Sequence, residues 1–518
     1  TLYGGDGNDD LTDDGAGTAI MDGGAGDDTI RFTGSDGTWD SYAGGSETDT
    51  LIWAGSGYVH VNLENGGNLA YVNVSIASRA SGNGFENFTA QGTNSAYVYM
   101  SNADNVVTGG STTNDYVDYR YATAGINANL ATGVVTGGSG NDTLIGIDHI
   151  RYGSDYDDVL VGNAGNNMLQ GGRGADTIDG GAGTDTAYYD YWDNGGPANV
   201  SLLGASVNNA IGFVFTGWAA GDVLSNIENL YGSNYGETLI GDGGVNALYG
   251  SGGDDVLQGL DGADYIDGGS GSNTVSFSLS GQAAVGGATS GGGVTATLTN
   301  GLSGINNSGD AAGDTYVNIQ NLTGSDFNDV LVGSSAVNIL DGGAGDDLLE
   351  GLGGADTFRG GAGTDTVTYA HSSAGVTADL SMLLAGTNDA NGDIFVGVEN
   401  LTGSAYNDRL VGNAADNVLV GGAGDDILDG GAGYDTASYA GAAAYVTIDL
   451  ANNVVTGSGG SNVGTDQLTS IERVIGTSYN DVITGSSGDD TIDGGGGTDT
   501  INAAGGTDTL SYASATGG

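Results

Sequence analysis

Residues 342–350 read GGAGDDLLE. The phrase returns as GGAGTDTVT at 360–368, as GGAGDDILD at 421–429 and as GGRGADTID at 171–179. Each copy is a glycine turn with an acid at position six and an apolar residue at position eight. Consecutive copies step by nine residues, so that starts at 324, 333, 342, 351 and 360 form one run. A short period held over a run predicts a stack of like coils, not a globule around one core. The repeated acid predicts that the stack needs a cation to close.

Working outward, further runs begin at 153, 232, 403 and 476. An Ile-Glu-Asn-Leu type of phrase precedes most of them: IENL at 227–230, IQNL at 319–322, VENL at 398–401 and IERV at 471–474. A longer-stepped half follows each run. It opens Asp-Thr-x-x-Tyr and continues with alternation, as in INANL (126–130), VTADL (376–380) and VTIDL (446–450). Val, Ile, Thr and Tyr at period two are strand chemistry. The modules read as 153–231, 232–323, 324–402, 403–475 and a truncated 476–518. Ahead of them lie degenerate repeats at 1–52 and a degenerate linker module at 53–152 that ends in one clean repeat. No segment carries a helical period, and this glycine density would make a helix costly. Residues 1–3 match the end of a nonapeptide, and the last phrase elsewhere leads into a further strand pair. The chain therefore reads as part of a longer polypeptide.

Glycine supplies 104 of 518 residues, but not at every third position, which excludes collagen. There are 65 acids and 8 bases, giving a net charge of −57. The bases are all arginine, and only eight of the acids are glutamate. That charge opposes compaction and excludes nucleic acid as a partner. It also opposes direct attraction to an anionic membrane. Cysteine is absent, and no apolar stretch is long enough for a transmembrane helix. Bound ions would supply the constraint that disulfides give other secreted proteins.

Within one repeat, glycines at positions one, two and four are expected to allow positive φ and close approach of neighbouring turns. Backbone carbonyls and an aspartate carboxylate then make an all-oxygen shell, which suits calcium. Zinc would want histidine or cysteine, and the three histidines are scattered. The position-eight residue should point inward and its two neighbours outward.

These features resemble the RTX, or haemolysin-type calcium-binding, repeat family, closely over 153–518 and loosely over 1–152. The resemblance implies an all-β fold: a right-handed parallel β-solenoid (a calcium-binding β-roll), elongated, with wider coils between the nonapeptide arrays. It implies multiple Ca2+ ions, roughly ten to twenty, held by position-six aspartates and carbonyls. Carried over by position, these are Asp9, Asp28 and Asp142, then Asp158, Asp176, Asp185, Asp255, Asp264, Asp329, Asp347, Asp356 and Asp365. They continue with Asp408, Asp426, Asp435, Asp481, Asp490, Asp499 and Asp508. Departures occur at Asn167, Asn246, Asn338 and Asn417, at Asn273, and at Glu237. An asparagine gives either a weaker ion site or an ion-free turn closed by its own hydrogen bonds. Asp490 is the one acid in the asparagine slot.

No HExxH, GxSxG or nucleotide loop is present, so no catalytic residue and no enzyme activity are expected. Tyr188, Tyr189, Tyr191, Trp192 and Trp218 could form a carbohydrate or protein contact, although filling of a wider coil is the plainer expectation. The leading function is a calcium-dependent extracellular structural protein: a surface-layer or filament subunit, or an adhesin shaft. Such a protein would be exported by type I secretion and would fold on external calcium. Self-association into a layer or filament and a cell-surface or polysaccharide contact are the expected partnerships. The alternative is a repeat carrier for an enzyme or toxin module outside this chain.

Overall fold

The computed structural model describes residues 1–14, 19–33, 39–55, 58–62, 79–83, 85–92, 95–111, 114–190, 196–204, 208, 213–282, 292–299, 302, 306–460 and 462–514. The chain forms two units, Thr1–Val256 with Asp267–Gly271, and Leu257–Ile266 with Ser272–Gly518. Each is a parallel β-solenoid whose short strands stack coil upon coil.

The strands are short because only one residue in each repeat can face inward. In the second unit Leu331 pairs with Leu349, and Leu349 with Val367, two nonapeptides apart. On the facing sheet Leu322 pairs with Leu340, and Leu340 with Phe358. All six of these side chains are fully buried, as are Leu160, Ile178, Leu419 and Ile483 at the same position elsewhere. Burying one such side chain contributes about 1.5–3 kcal/mol. A two- to six-residue strand gains little alone and is completed by its neighbours in the stack.

The linker halves continue the stack as wider coils. Partners lie 18 residues apart within an array, but 34 to 50 apart across a linker. The alternating run docks in parallel on the first nonapeptide of the next array: Thr377–Asp379 on Arg409–Val411, and Val446–Asp449 on Val482–Thr484.

Two linkers depart from the all-parallel expectation. Ile126–Asn129, Val134–Gly137 and Gly140–Ile145 form an antiparallel meander, and Val446–Asp449, Val454–Gly457 and Thr465–Thr469 repeat it. In three other linkers a 3-10 turn stands in the middle strand's place, at Gly217–Ala219, Gly309–Ala311 and Asn388–Ala390. Single antiparallel bridges, Thr295 to Ser308 and Thr377 to Thr387, mark the same fold-back. The physical reason is length. A wide coil must return its chain to the next rung, and a hairpin or tight turn satisfies the backbone on the way.

The degenerate N-terminal coils rest on larger side chains. Phe32 lies between Tyr42 and Trp53, with ring centroids 5.1 and 4.9 Å away, and all three are buried. Of the aromatic run near 190, Tyr189 is buried, while Tyr188 stacks on Tyr231 with ring centroids 4.3 Å apart. Trp218 lies against the Arg173 guanidinium. Tyr191 and Trp192 lie outside the described residues. Among the described residues no helix is long and apolar enough to cross a membrane.

Candidate metal centre

Position-six residues stack along the edges of each solenoid as hydrogen-bonded ladders. The backbone N–H of Asp329 donates to Asp347 Oδ1 (2.8 Å), and that of Asp347 to Asp365 Oδ1 (2.9 Å). The same link joins Asp158 to Asp176, Asp408 to Asp426, Asp481 to Asp499, Asp490 to Asp508, and Asp9 to Asp28. Each carboxylate thus gives one oxygen to the coil before it. What its other oxygen meets divides the turns into two kinds.

In the first two turns of every array from 153 onward, position two is Ser, Thr, Asn or Asp. Its side chain accepts the N–H of position four, as in Ser154 to Tyr156, Asn163 to Gly165, Ser325 to Phe327, Ser404 to Tyr406 and Thr477 to Tyr479. These are ST- and Asx-turns. They hold position two at ordinary φ, with its N–H aimed at position six. Ser325 N–H reaches Asp329 Oδ2 at 2.5 Å, Ser404 N–H reaches Asp408 Oδ2 at 2.5 Å, and Thr477 N–H reaches Asp481 Oδ2 at 2.6 Å. The other oxygen accepts the first N–H of the docking linker strand, from Ile126, Val294, Val376 or Val446. Both oxygens of Asp158, Asp329, Asp408 and Asp481 are therefore engaged. Glu237 fills the same place, held by the N–H and hydroxyl of Ser233. Asp490 is held in like manner by Ser486.

The asparagines belong to these closed turns. Asn338 Oδ1 accepts Ser334 N–H (2.7 Å), and its Nδ2 donates to the Gln320 carbonyl (2.6 Å). Asn167, Asn246 and Asn417 donate in the same way to the carbonyls of Asp148, Glu228 and Glu399. A carboxylate could not donate there. At these four positions the turn is closed by the asparagine's own hydrogen bonds.

Later turns are open. Position two adopts φ near +100°, as at Gly343 (+99°) and Gly361 (+109°), and position four follows, as at Gly345 (+120°). The same conformation holds where position two is Ser251, Leu260, Leu352 or Ala504. The turn then presents no N–H to the second carboxylate oxygen. Oδ2 of Asp9, Asp28, Asp176, Asp185, Asp347, Asp356, Asp365, Asp426 and Asp435 is buried without a hydrogen-bond partner. Asp255, Asp264, Asp499 and Asp508 occupy turns of the same backbone form. The glycine at position one has a different task from the one expected. It does not take positive φ. A Cβ on Gly342 or Gly351 would fall on Asp347 or Asp356 Oδ2, and one on Gly360 on the Gly397 carbonyl oxygen.

Asp142 is a correction to the expected roll turn. It lies in the antiparallel strand Gly140–Ile145, opposite Val135, and accepts Asn105 N–H at 2.8 Å.

Reading by nonapeptide missed the acids that end each ladder in the linkers. Asp222, Asp314, Asp393 and Asp466 accept the N–H of Asp176, Asp264, Asp356 and Asp426. Glu228, Glu399 and Glu472 do the same for Asp185, Asp365 and Asp435. The signal was present: Gly-Asp at 221–222, 313–314 and 392–393, each a few residues before the Ile-Glu-Asn-Leu phrase. Tyr189 and Tyr369, the tyrosines of Asp-Thr-x-x-Tyr, donate their hydroxyls to Asp222 and Asp393 Oδ2 at 3.0 and 2.7 Å. Module two has Phe277 there, and Tyr316 supplies the hydroxyl to Asp314 instead.

Burial without compensation raises the carboxyl pKa values. Asp176 is pushed up to about 8 by desolvation and then by the Asp222 charge. Asp426 rises to about 7 by desolvation, with Asp466 among the acids adding to it. Asp356 also reaches about 7, chiefly by desolvation. Among the described residues no three acidic or histidine side chains converge on one point. Any cation must therefore take most of its ligands from backbone carbonyls. The donors are all oxygen, the carboxylate oxygens are buried and unsatisfied, and only glycine leaves the space beside them. This set fits a hard divalent ion.

The family described as the RTX calcium-binding nonapeptide repeat matches residues 1–12, 133–146, 152–187, 231–275, 323–358, 332–367, 402–437 and 475–510. Copies of this calcium-binding repeat are thus spread across the chain. No curated protein matches it.

Proposed function

We propose that the chain is the calcium-folded shaft of an extracellular structural protein, of the surface-layer, filament or adhesin kind, with no reaction of its own. The observation that carries this reading is the row of buried, unpartnered Oδ2 atoms at the open turns. Such oxygens, left without a hydrogen-bond partner, are a standing electrostatic cost until a cation is shared between stacked turns. Calcium would be held by the open-turn aspartates and neighbouring turn carbonyls, and it would neutralise the charge that opposes folding. The closed turns at Asp158, Asp329, Asp408, Asp481 and Asp490 would carry none. The low calcium of a cytosol would leave the chain unfolded for export, and external calcium would fold it by mass action.

Calorimetric titration of the chelated protein tests this. Uptake of roughly ten or more calcium ions, coincident with the appearance of β-structure, is expected. One or two ions, or a preference for zinc, would defeat it. Sedimentation at millimolar calcium then separates a self-associating layer or filament subunit from a single shaft. The family match also accommodates a repeat carrier of a secreted enzyme or toxin. An upstream catalytic module in the full-length sequence would favour that reading.

A further inference from the structure

Four arrays end on a linker, so their last turn stacks on linker residues and not on another nonapeptide. In three of them the junction pairs two acids. The N–H groups of Asp185, Asp365 and Asp435 donate to carboxylate oxygens of Glu228, Glu399 and Glu472. The array at 232–276 has amides in both places, and Asn273 N–H donates to Gln320 Oε1 at 2.8 Å. The backbone around the pair is otherwise the same. Glu399 and Asn400 return their N–H groups to the Asp365 carbonyl, as Gln320 and Asn321 do to that of Asn273. Two residues before the linker acid the chain turns left-handed, at Asn226, Gly397 and Ser470 (φ +50°, +61° and +51°). Asn318, two residues before Gln320, does the same (φ +54°).

That turn carries a carbonyl oxygen to the array. A Cβ on Gly180, Gly360 or Gly430 would lie within 2.2 Å of the carbonyl oxygen of Asn226, Gly397 or Ser470. It would also lie within 2.7 Å of Oδ2 of Asp185, Asp365 or Asp435. These three aspartates are at most 1% exposed, and their Oδ2 atoms have no hydrogen-bond partner. Two acceptor oxygens thus face one small space with no donor between them. In the amide junction the donor is present: Asn273 Nδ2 donates to the Asn318 carbonyl at 3.1 Å. Desolvation, and then the charge of the neighbouring glutamate, raises the carboxyl pKa of Asp185, Asp365 and Asp435. Both charges are lost together in the one junction that supplies an N–H, which fits an ion shared by the acid pair. An all-oxygen gap bounded by two carboxylates suits a hard cation. The three glutamates and the three carbonyls lie outside every stretch that matches the repeat family.

We propose that the junctions Asp185–Glu228, Asp365–Glu399 and Asp435–Glu472 are calcium sites completed by the linker, with the carbonyls of Asn226, Gly397 and Ser470 as further ligands, and that the Asn273–Gln320 junction takes no ion. This rests on the calcium reading above and assigns ligands that the nonapeptides do not supply. Crystals of the full chain grown in calcium, measured for anomalous scattering, should show an ion beside Asp185, Asp365 and Asp435 and none beside Asn273. That comparison needs no variant to fold. In solution, the calcium midpoint for hydrogen-exchange protection of residues 397–402 reads one junction. Glu399→Gln keeps an acceptor for the Asp365 N–H, as Gln320 does for Asn273, and removes only the charge. It should raise that midpoint about tenfold. The reverse exchange, Asn273→Asp with Gln320→Glu, should create a fourth ion position in the crystals. An unchanged midpoint in Glu399→Gln would overturn the proposal. So would an ion beside Asn273 in the unaltered chain, or no ion at the three junctions while other open turns such as that of Asp347 are filled. No calcium at any open turn would defeat the wider calcium reading, and this one with it.

Discussion

Residues 324–341 and 342–368 belong to one array and share one repeat, yet their turns differ. In the first stretch Ser325 and Ser334 pin the turn, and Asp329 and Asn338 have their side-chain acceptors engaged. In the second, Gly343, Leu352 and Gly361 swing to positive φ, and Asp347, Asp356 and Asp365 each bury an oxygen with no partner. The closed pair satisfies itself with protein hydrogen bonds, whereas the open turns are incomplete without an ion. Each array from 153 onward thus starts with turns closed by protein hydrogen bonds and continues with open ones, which under the proposed function would be the turns that depend on calcium. One residue, at position two, accounts for most of the difference.

Chelation should break the comparison most visibly. Hydrogen exchange after calcium removal is expected to lose protection first and most at the open turns of 342–368, with the coil at 324–341 outlasting them. Uniform loss across both stretches would contradict the division. Next in size is Gly342→Ala, which drives a Cβ onto Asp347 Oδ2. The cost should be on the order of 1–3 kcal/mol or more, with a matching loss of calcium affinity in denaturant titrations.

The exchange Asn338→Asp sharpens the contrast. It replaces the Nδ2 donor to the Gln320 carbonyl with an oxygen, and should destabilise the calcium-free protein by about 1–3 kcal/mol. The natural counterpart is Asp490. If the variant instead gains stability without calcium, the ion-free assignment of these turns fails.

Acidity should partly replace calcium. Asp176, Asp356 and Asp426 have folded pKa values near 8, 7 and 7, above the ordinary 3.8. Between those limits the folded state holds more protons than the unfolded one, so stability falls as pH rises from about 4 to about 8. In chelator, the β-structure retained should therefore be greater at pH 5 than at pH 8, and the gap should shrink in calcium. The smallest effect is Tyr369→Phe. It removes the hydroxyl donated to Asp393 and should cost about 1 kcal/mol, leaving calcium stoichiometry unchanged.

The repeat, its stacking and its inward position-eight residues were legible in the sequence, since a nine-residue period leaves one inward side chain for each short strand. Calcium was legible too, from the acid at position six in a glycine turn and the absence of histidine and cysteine ligands. The functional division of the turns was in the letters but not in their meaning. Position two reads Ser325 or Ser404 in closed turns, but Ser251 stands in an open one. Side chain alone did not decide it, and glycine at position four does not either, since Gly165, Gly244 and Gly488 occupy that place in closed turns. Which linker acids end the ladders depends on residues brought together from 34 to 50 positions apart. The local period dictates the rung. Only the stacked structure decides what each rung meets above and below, because each carboxylate is completed, or left incomplete, by the neighbouring coil.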